Sequence, residues 1–183
     1  MRYPYKAKSK GLGNSQVLHK DYYKQSDIEL VLSEMAEQVA IRLRKAHKKT
    51  TSVAISVGFS HTAERSSIHV QRKVDPTQNT KVLIGHVISL FRSKYNGGAV
   101  RNIAVRYNNF VDERYAFISL FDNFEQVEKE EPHQKTIDDV RERFGFLSVQ
   151  RATVLKENSR SKARSQLIGG HAAGGAGGLD GLA

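Results

Sequence analysis

The sequence predicts an α+β domain of order β-α-β-β-α-β, a four-stranded sheet with two helices on one face, followed by a partly helical tail. Three observations predict it. TSVAISVGFS at 51–60 alternates aliphatic with small residues. Residues 26–47 and 77–95 repeat apolar side chains at helical spacing. Short polar or glycine-containing connectors separate these segments.

The elements follow in order. KAKSKGLGNSQVL at 6–18 reads as an extended strand interrupted by Gly11 and Gly13, and HKDYYKQ as a polar connector. Ser26 and Glu29 have capping-box spacing at the start of a helix ending near His47. Ile28, Leu32, Met35, Val39 and Leu43 form its apolar stripe. Glu29, Ser33, Glu37 and Arg44 are expected on its wet side. In the next strand Val53, Ile55, Val57 and Phe59 share one face, with Ser52, Ala54, Ser56, Gly58 and Ser60 on the other. SSIHVQRKV at 66–74 completes a hairpin, with Ile68 and Val70 inward. Leu83, Ile84, Val87, Ile88, Leu90 and Phe91 give the second helix a broad apolar face, and Gly97 and Gly98 suit its termination. VRNIAVRY at 100–107 is the last strand, with Ile103 and Val105 inward and Asn102, Ala104 and Arg106 outward.

Such a sheet has two chemically different faces. The helix-covered face is aliphatic. The free face consists of Ser, Ala, Gly, Asn, Gln, Lys and Arg. Lys8, Lys10, Gln71, Lys73, Asn102 and Arg106 converge on it, with Arg101 at its edge. Small residues allow close approach, and cations, amides and hydroxyls grip phosphate oxygens without reading bases. The charge distribution agrees: residues 1–110 hold 19 Lys and Arg against 7 Asp and Glu, whereas 111–183 hold 10 against 12. A focused basic domain points to a polyanion, bound with steep salt dependence. An RNA-recognition module has the same element order but stacks bases on sheet aromatics. Here the corresponding positions are Ser56, Gly58, His69 and Gln71.

Other chemistry is poorly provided for. There is no cysteine, hence no disulfide or thiolate site. The seven histidines have no metal-ligand spacing, and GLGNS at 11–15 lacks the lysine of a phosphate loop. No apolar run approaches the ~20 residues of a membrane span. The basic N-terminus lacks the apolar stretch of a signal peptide, so the expectation is a cytoplasmic protein with no membrane partner, small-molecule substrate or cofactor of its own.

KSKGLGNSQVL at 8–18, SDIELVLSEMAEQVAIRLR, the hairpin, the second helix, and VRNIAVRYNNF followed by ISLFDN together resemble the C-terminal part of a Y-family translesion DNA polymerase of the UmuC-like (ImpB/MucB/SamB) branch. The resemblance covers residues 6–121, and 135–170 look like the tail of Gram-positive members. It implies a little-finger domain over 6–110 that lays its sheet on duplex primer-template DNA. By position, Lys8 and Ser9 with Gly13, Asn14 and Ser15 would follow one phosphate backbone, and Arg101, Asn102 and Arg106 match the family's basic last strand. It also implies that the palm, with its Mg-binding carboxylates, is absent from this chain, which is therefore expected to be a non-catalytic part of a DNA-repair enzyme.

The tetrapeptide ISLF occurs twice. At 88–91 it has helical apolar partners and is expected in the core. At 117–121, Phe117, Ile118, Ser119, Leu120 and Phe121 lie in a polar linker (111–134) and resemble the bacterial sliding-clamp motif, with Phe117 in place of glutamine. A helical tail over 135–168 and a disordered Gly/Ala-rich end over 169–183 complete the reading. Within the tail, SRSKARSQ at 159–166 is either solvated or a further phosphate contact. The alternative function is a standalone adaptor that uses the linker and helical tail for protein contacts. Clamp capture without DNA affinity would distinguish it.

Overall fold

A computed structural model describes residues 11–61, 67–113, 124–165, 167–168 and 171–172. The elements are β1 (Gly11–Tyr22), α1 (Gln25–Lys45), β2 (Lys48–Phe59), β3 (Ile68–Thr77), α2 (Thr80–Lys94), β4 (Val100–Asp112), α3 (Phe124–Phe144) and α4 (Ser161–Ser165). Two short 3₁₀ turns, Phe146–Ser148 and Ala152–Leu155, link α3 to α4, and β5 (Leu167–Ile168) pairs with β6 (His171–Ala172). The four long strands form one antiparallel sheet in the order β1-β4-β2-β3. The β-α-β-β-α-β reading is therefore the fold.

The alternating aliphatics form the core. Val53, Ile55, Val57, Ile103, Val105 and Tyr107 are buried against Ile28, Leu32, Met35, Val39 and Leu43 of α1 and Leu83, Val87, Leu90 and Phe91 of α2. Each fully buried aliphatic contributes on the order of 2 kcal/mol. The Tyr107 hydroxyl stays satisfied in this core by donating to the Ala36 carbonyl at 3.0 Å. Leu90 and Phe91, from the first ISLF, are buried as expected. No helix among the described residues is long and apolar enough to cross a membrane.

Several boundaries differ from expectation, each for a local reason. β1 continues through HKDY to Tyr22, because a register shift between Val17 and Tyr22 absorbs the break in alternation. The capping box does not form. α1 starts at Gln25, and Glu29 is held by Arg92 of α2 at 2.6 and 2.8 Å and by Gln25 at 2.7 Å. A bidentate guanidinium is a stronger partner than one backbone N–H. α1 ends at Lys45, where His47 takes φ 53° in the turn to β2. β3 runs on to Thr77, and Asn79 starts α2 by accepting from the Lys81 and Val82 amides at 2.8 and 3.2 Å. β4 extends to Asp112, past the expected strand end at 107 and the expected domain end at 110.

The largest departure concerns the wet side of α1. Glu37 accepts from Arg141 at 3.1 Å and pairs with Arg151 at 3.2 Å; Arg44 holds Asp138 at 2.6 and 3.1 Å. Glu34, which the apolar stripe left unassigned, is buried and pairs with Arg164 at 3.6 Å. The tail is thus a third layer laid along α1. Its first helix starts at Phe124 rather than near Lys135, with Pro132 inside it, so the second part of the expected linker, from 124 to 134, is helical. Leu167 and Ile168, read as part of a helical tail, form β5. His171 and Ala172, read as disordered, form β6.

Candidate nucleic-acid interface

The sheet face turned away from α1 and α2 can be written out row by row, because directly paired residues share a face. Across β1, β4, β2 and β3 the rows are Gly11–Asn108–Ser52–Lys73, then Gly13–Arg106–Ala54–Gln71, then Ser15–Ala104–Ser56–His69. Val17–Asn102–Gly58 continues the series over three strands. Among these described residues there is no carboxylate and no aromatic ring other than the imidazole of His69. A shallow groove of ≈ 530 Å³ runs over the first three rows, lined by Gly11, Gly13, Ser56, Gln71, Arg106 and Asn108 among others.

Small residues shape this floor. At Gly13 a methyl group would sit 3.4 Å from Arg106 Nε and 3.1 Å from the Val105 carbonyl, so the Arg106 side chain lies across β1 where there is no Cβ. At Gly58 a methyl would come within 3.1 Å of the Asn102 Cβ. Hydrogen bonds tie down the β3 edge: Gln71 Nε2 donates to Ser52 Oγ at 2.8 Å, and His69 Nδ1 lies 2.9 Å from Ser56 Oγ. Arg106 and Lys73 are exposed and have no ion-pair partner among the described residues. Two free cations over a floor of glycine, alanine and serine, flanked by amides, suit phosphate oxygens and supply nothing for base recognition.

The structure brings Gly13, Ser15, Gln71, Lys73, Asn102 and Arg106 onto one face. Asn14 lines the same groove, but alternation turns its side chain to the helix side, where Nδ2 donates to Gln38 Oε1 at 3.1 Å. Arg101 falls where β4 slips register against β2 and lies 3.6 Å from Asp21, so it borders the face rather than belonging to it. Lys8, Ser9 and Lys10 lie outside the described residues, as do Phe117, Ile118, Ser119, Leu120 and Phe121. Sequence reasoning missed Asn108 and Val17. Val17 is 66% exposed on this face, and the parity of Gly13 and Ser15 was the signal that could have found it.

A family model described as the impB/mucB/samB family C-terminal domain matches residues 9–120. "DNA polymerase IV 2" of Halalkalibacterium halodurans is 31% identical over 167 residues, which is 90% of this chain and 40% of that protein. "Putative UV-damage repair protein UvrX" of Bacillus subtilis is 30% identical over 162 residues, 87% of this chain and 38% of that one. The chain thus spans about 40% of the length of these curated relatives. One chain of a solved structure described as "Complex of beta-clamp processivity factor and little finger domain of PolIV" aligns over 99% of its length with 61% of this chain, at 14% identity and a TM-score of 0.45.

Proposed function

The chain belongs to the impB/mucB/samB family, whose C-terminal domain it carries, and on that premise we propose that it is the non-catalytic, DNA-gripping part of a translesion DNA polymerase. The names of its relatives, a DNA polymerase IV and a UV-damage repair protein, support that class of parent. The observation that carries the DNA reading is the sheet face itself. It holds Arg106 and Lys73 over small residues, with no opposing carboxylate among the described residues. Lys8 and Lys10, which precede Gly11 in the sequence, add to the positive charge of this part of the chain. The duplex is held through its phosphates and not its sequence, which suits a surface that must follow any template.

The test is duplex binding by this chain alone. Anisotropy of a labelled mixed-sequence duplex is expected to show affinity falling linearly on a log–log plot against salt, with a slope of about −0.9 per phosphate engaged. It should be indifferent to base sequence. A flat salt response, or strong preference for one sequence, would sink the reading.

The segment Phe117–Phe121 supplies the second part of the proposal: docking on the bacterial sliding clamp, with Leu120 and Phe121 as apolar anchors. Tethering there raises the local concentration of the polymerase at the primer end. Replacing Leu120 and Phe121 with alanine is expected to abolish capture on immobilised clamp and leave duplex binding unchanged. Undiminished capture would overturn it.

A further inference from the structure

The stretch SRSKARSQ at 159–166 carries three cations, and the structure gives them three different settings. Arg164 is buried, donating through Nε and Nη2 to Gln16 Oε1 at 3.0 and 2.7 Å and lying 3.6 Å from Glu34. Lys162 is exposed on α4. Arg160 is anchored by its backbone alone: its amide donates to Glu34 Oε2 at 2.9 Å. Its side chain has no ion-pair partner among the described residues, and its Nε is buried without a hydrogen bond.

The surroundings of Arg160 are cationic. Tail contacts hold it beside the end of β1: Tyr22 Oη donates to the Asn158 carbonyl at 3.4 Å, and Asn158 Nδ2 donates to Asp27 at 3.0 Å. His19, near the end of β1, lies within electrostatic reach of Arg160, Lys20 and Arg101. Partial burial, and then the positive charges of Arg160, Lys20 and Arg101, hold the His19 imidazole below its usual value. Asp21 offsets part of this charge through Arg101 at 3.6 Å. His19 and Lys20 are both exposed and follow Val17, the β1 residue of the row containing Asn102. That row lies four residues along β4 from Arg106, about 13 Å away.

We propose that Arg160, with Lys20, His19 and Arg101, forms a second phosphate-binding patch for duplex DNA, so that the C-terminal tail extends the footprint of the sheet. The inference rests on the reading of the sheet as a DNA surface and adds a contact from outside it. A guanidinium left without a partner beside other cations is held at a cost that a phosphate dianion or diester relieves. The Arg160 amide and the Ser159 hydroxyl, both donating to Glu34, hold this stretch in place whether or not DNA is present, and a phosphate would meet the terminal nitrogens of Arg160, its Nε being buried.

The experiment compares Arg160→Gln, Lys20→Gln and Lys162→Gln in the full 183-residue chain, each titrated with a labelled 20-base-pair duplex across a salt series. Arg160→Gln is expected to weaken binding roughly tenfold at low salt and to reduce the salt slope by about one. Lys20→Gln should behave similarly, Lys162→Gln like the wild type, and all three should melt as the wild type does. If Arg160→Gln binds normally while Arg106→Gln does not, the patch is overturned and the sheet reading stands. If Arg106→Gln binds normally while Arg160→Gln is impaired, the patch stands and the sheet reading fails. Equal losses from Lys162→Gln and Arg160→Gln would mean diffuse attraction rather than a site, and would also overturn the patch.

Discussion

Replacing Arg164 with alanine is expected to unlatch the C-terminal layer from α1, at a cost of about 3–5 kcal/mol to the closed tail. Arg164 is 6% exposed and reaches back across the chain to Gln16 of β1 and Glu34 of α1. Glu34 is 7% exposed, and Ser159 Oγ and the Arg160 amide also donate to it. Burial pushes the Glu34 carboxyl up and the Arg164 guanidinium down to about 10. Desolvation is thus the largest influence on each, and the pair is held in place by the hydrogen bonds around it. Removing one partner leaves a buried charge and the Gln16 amide without compensation, which is why truncation costs more than the pair itself contributes. Hydrogen exchange provides the readout. Amides of α4 should exchange much faster in the variant while those of β2 hardly change, because the aliphatic core does not involve the tail. Uniform loss of protection in both would mean that the tail is part of the core rather than a latch, and no change in α4 would mean that the ion pair does not hold it. Glu34→Gln offers a second route with a defined pH signature. Because the folded carboxyl is raised, its contribution is fully present below about pH 4.5 and is lost as the pH rises through the folded value. The glutamine variant should lose that slope in a comparison of tail opening at acid and neutral pH.

What the sequence revealed and what it concealed divide along the range of the interactions. Val53, Ile55 and Val57 declare their face by alternation alone, since a strand has a period of two whatever surrounds it. Leu83, Val87, Leu90 and Phe91 do the same for a helix. Glu29, Glu34 and Glu37 could not be assigned in this way. Their partners are Arg92, Arg164 and Arg141, from 63 to 130 residues away, and a carboxylate on a helix looks the same facing water or a distant guanidinium. The Ser26–Glu29 spacing was genuine, but Arg92 outcompeted the backbone for the carboxylate. Tail and domain therefore read as separate pieces, while the structure shows one ionic interface. At the candidate site the same contrast holds. Gly13, Ser15, Asn102 and Arg106 follow from parity. Asn14 came by position from the family resemblance, and parity turns its side chain to the opposite side from Gly13 and Ser15.

Reversing Arg106 and Lys73, the exposed cations of the four rows, is expected to have the largest effect on binding. Arg106→Glu with Lys73→Glu should lower duplex affinity by about 100- to 1,000-fold at moderate salt. Each exposed cation against a phosphate about 4 Å away gains on the order of 1 kcal/mol in a water-like dielectric, and reversal turns that gain into a similar repulsion. Two sites thus approach 4 kcal/mol. Their counterion release disappears as well, so the slope against log salt should shrink by about two. The fold should tolerate the change, because both side chains are exposed and neither ties one element to another. Net charge alone predicts a different result, and a matched control separates the two. Lys24→Glu with Lys135→Glu makes the same change in total charge at exposed positions, one preceding α1 and one on α3. If the sheet is the docking surface, this control keeps most of its affinity and its slope. If both doubles lose affinity equally, the attraction belongs to the whole basic molecule and the arrangement of the four rows has no part in it. The geometry argues for the first outcome. Glycine at position 13 leaves Arg106 room to lie flat over β1, and a cation held flat against a small-residue floor can meet a phosphate at contact distance, where a solvated lysine on a helix cannot.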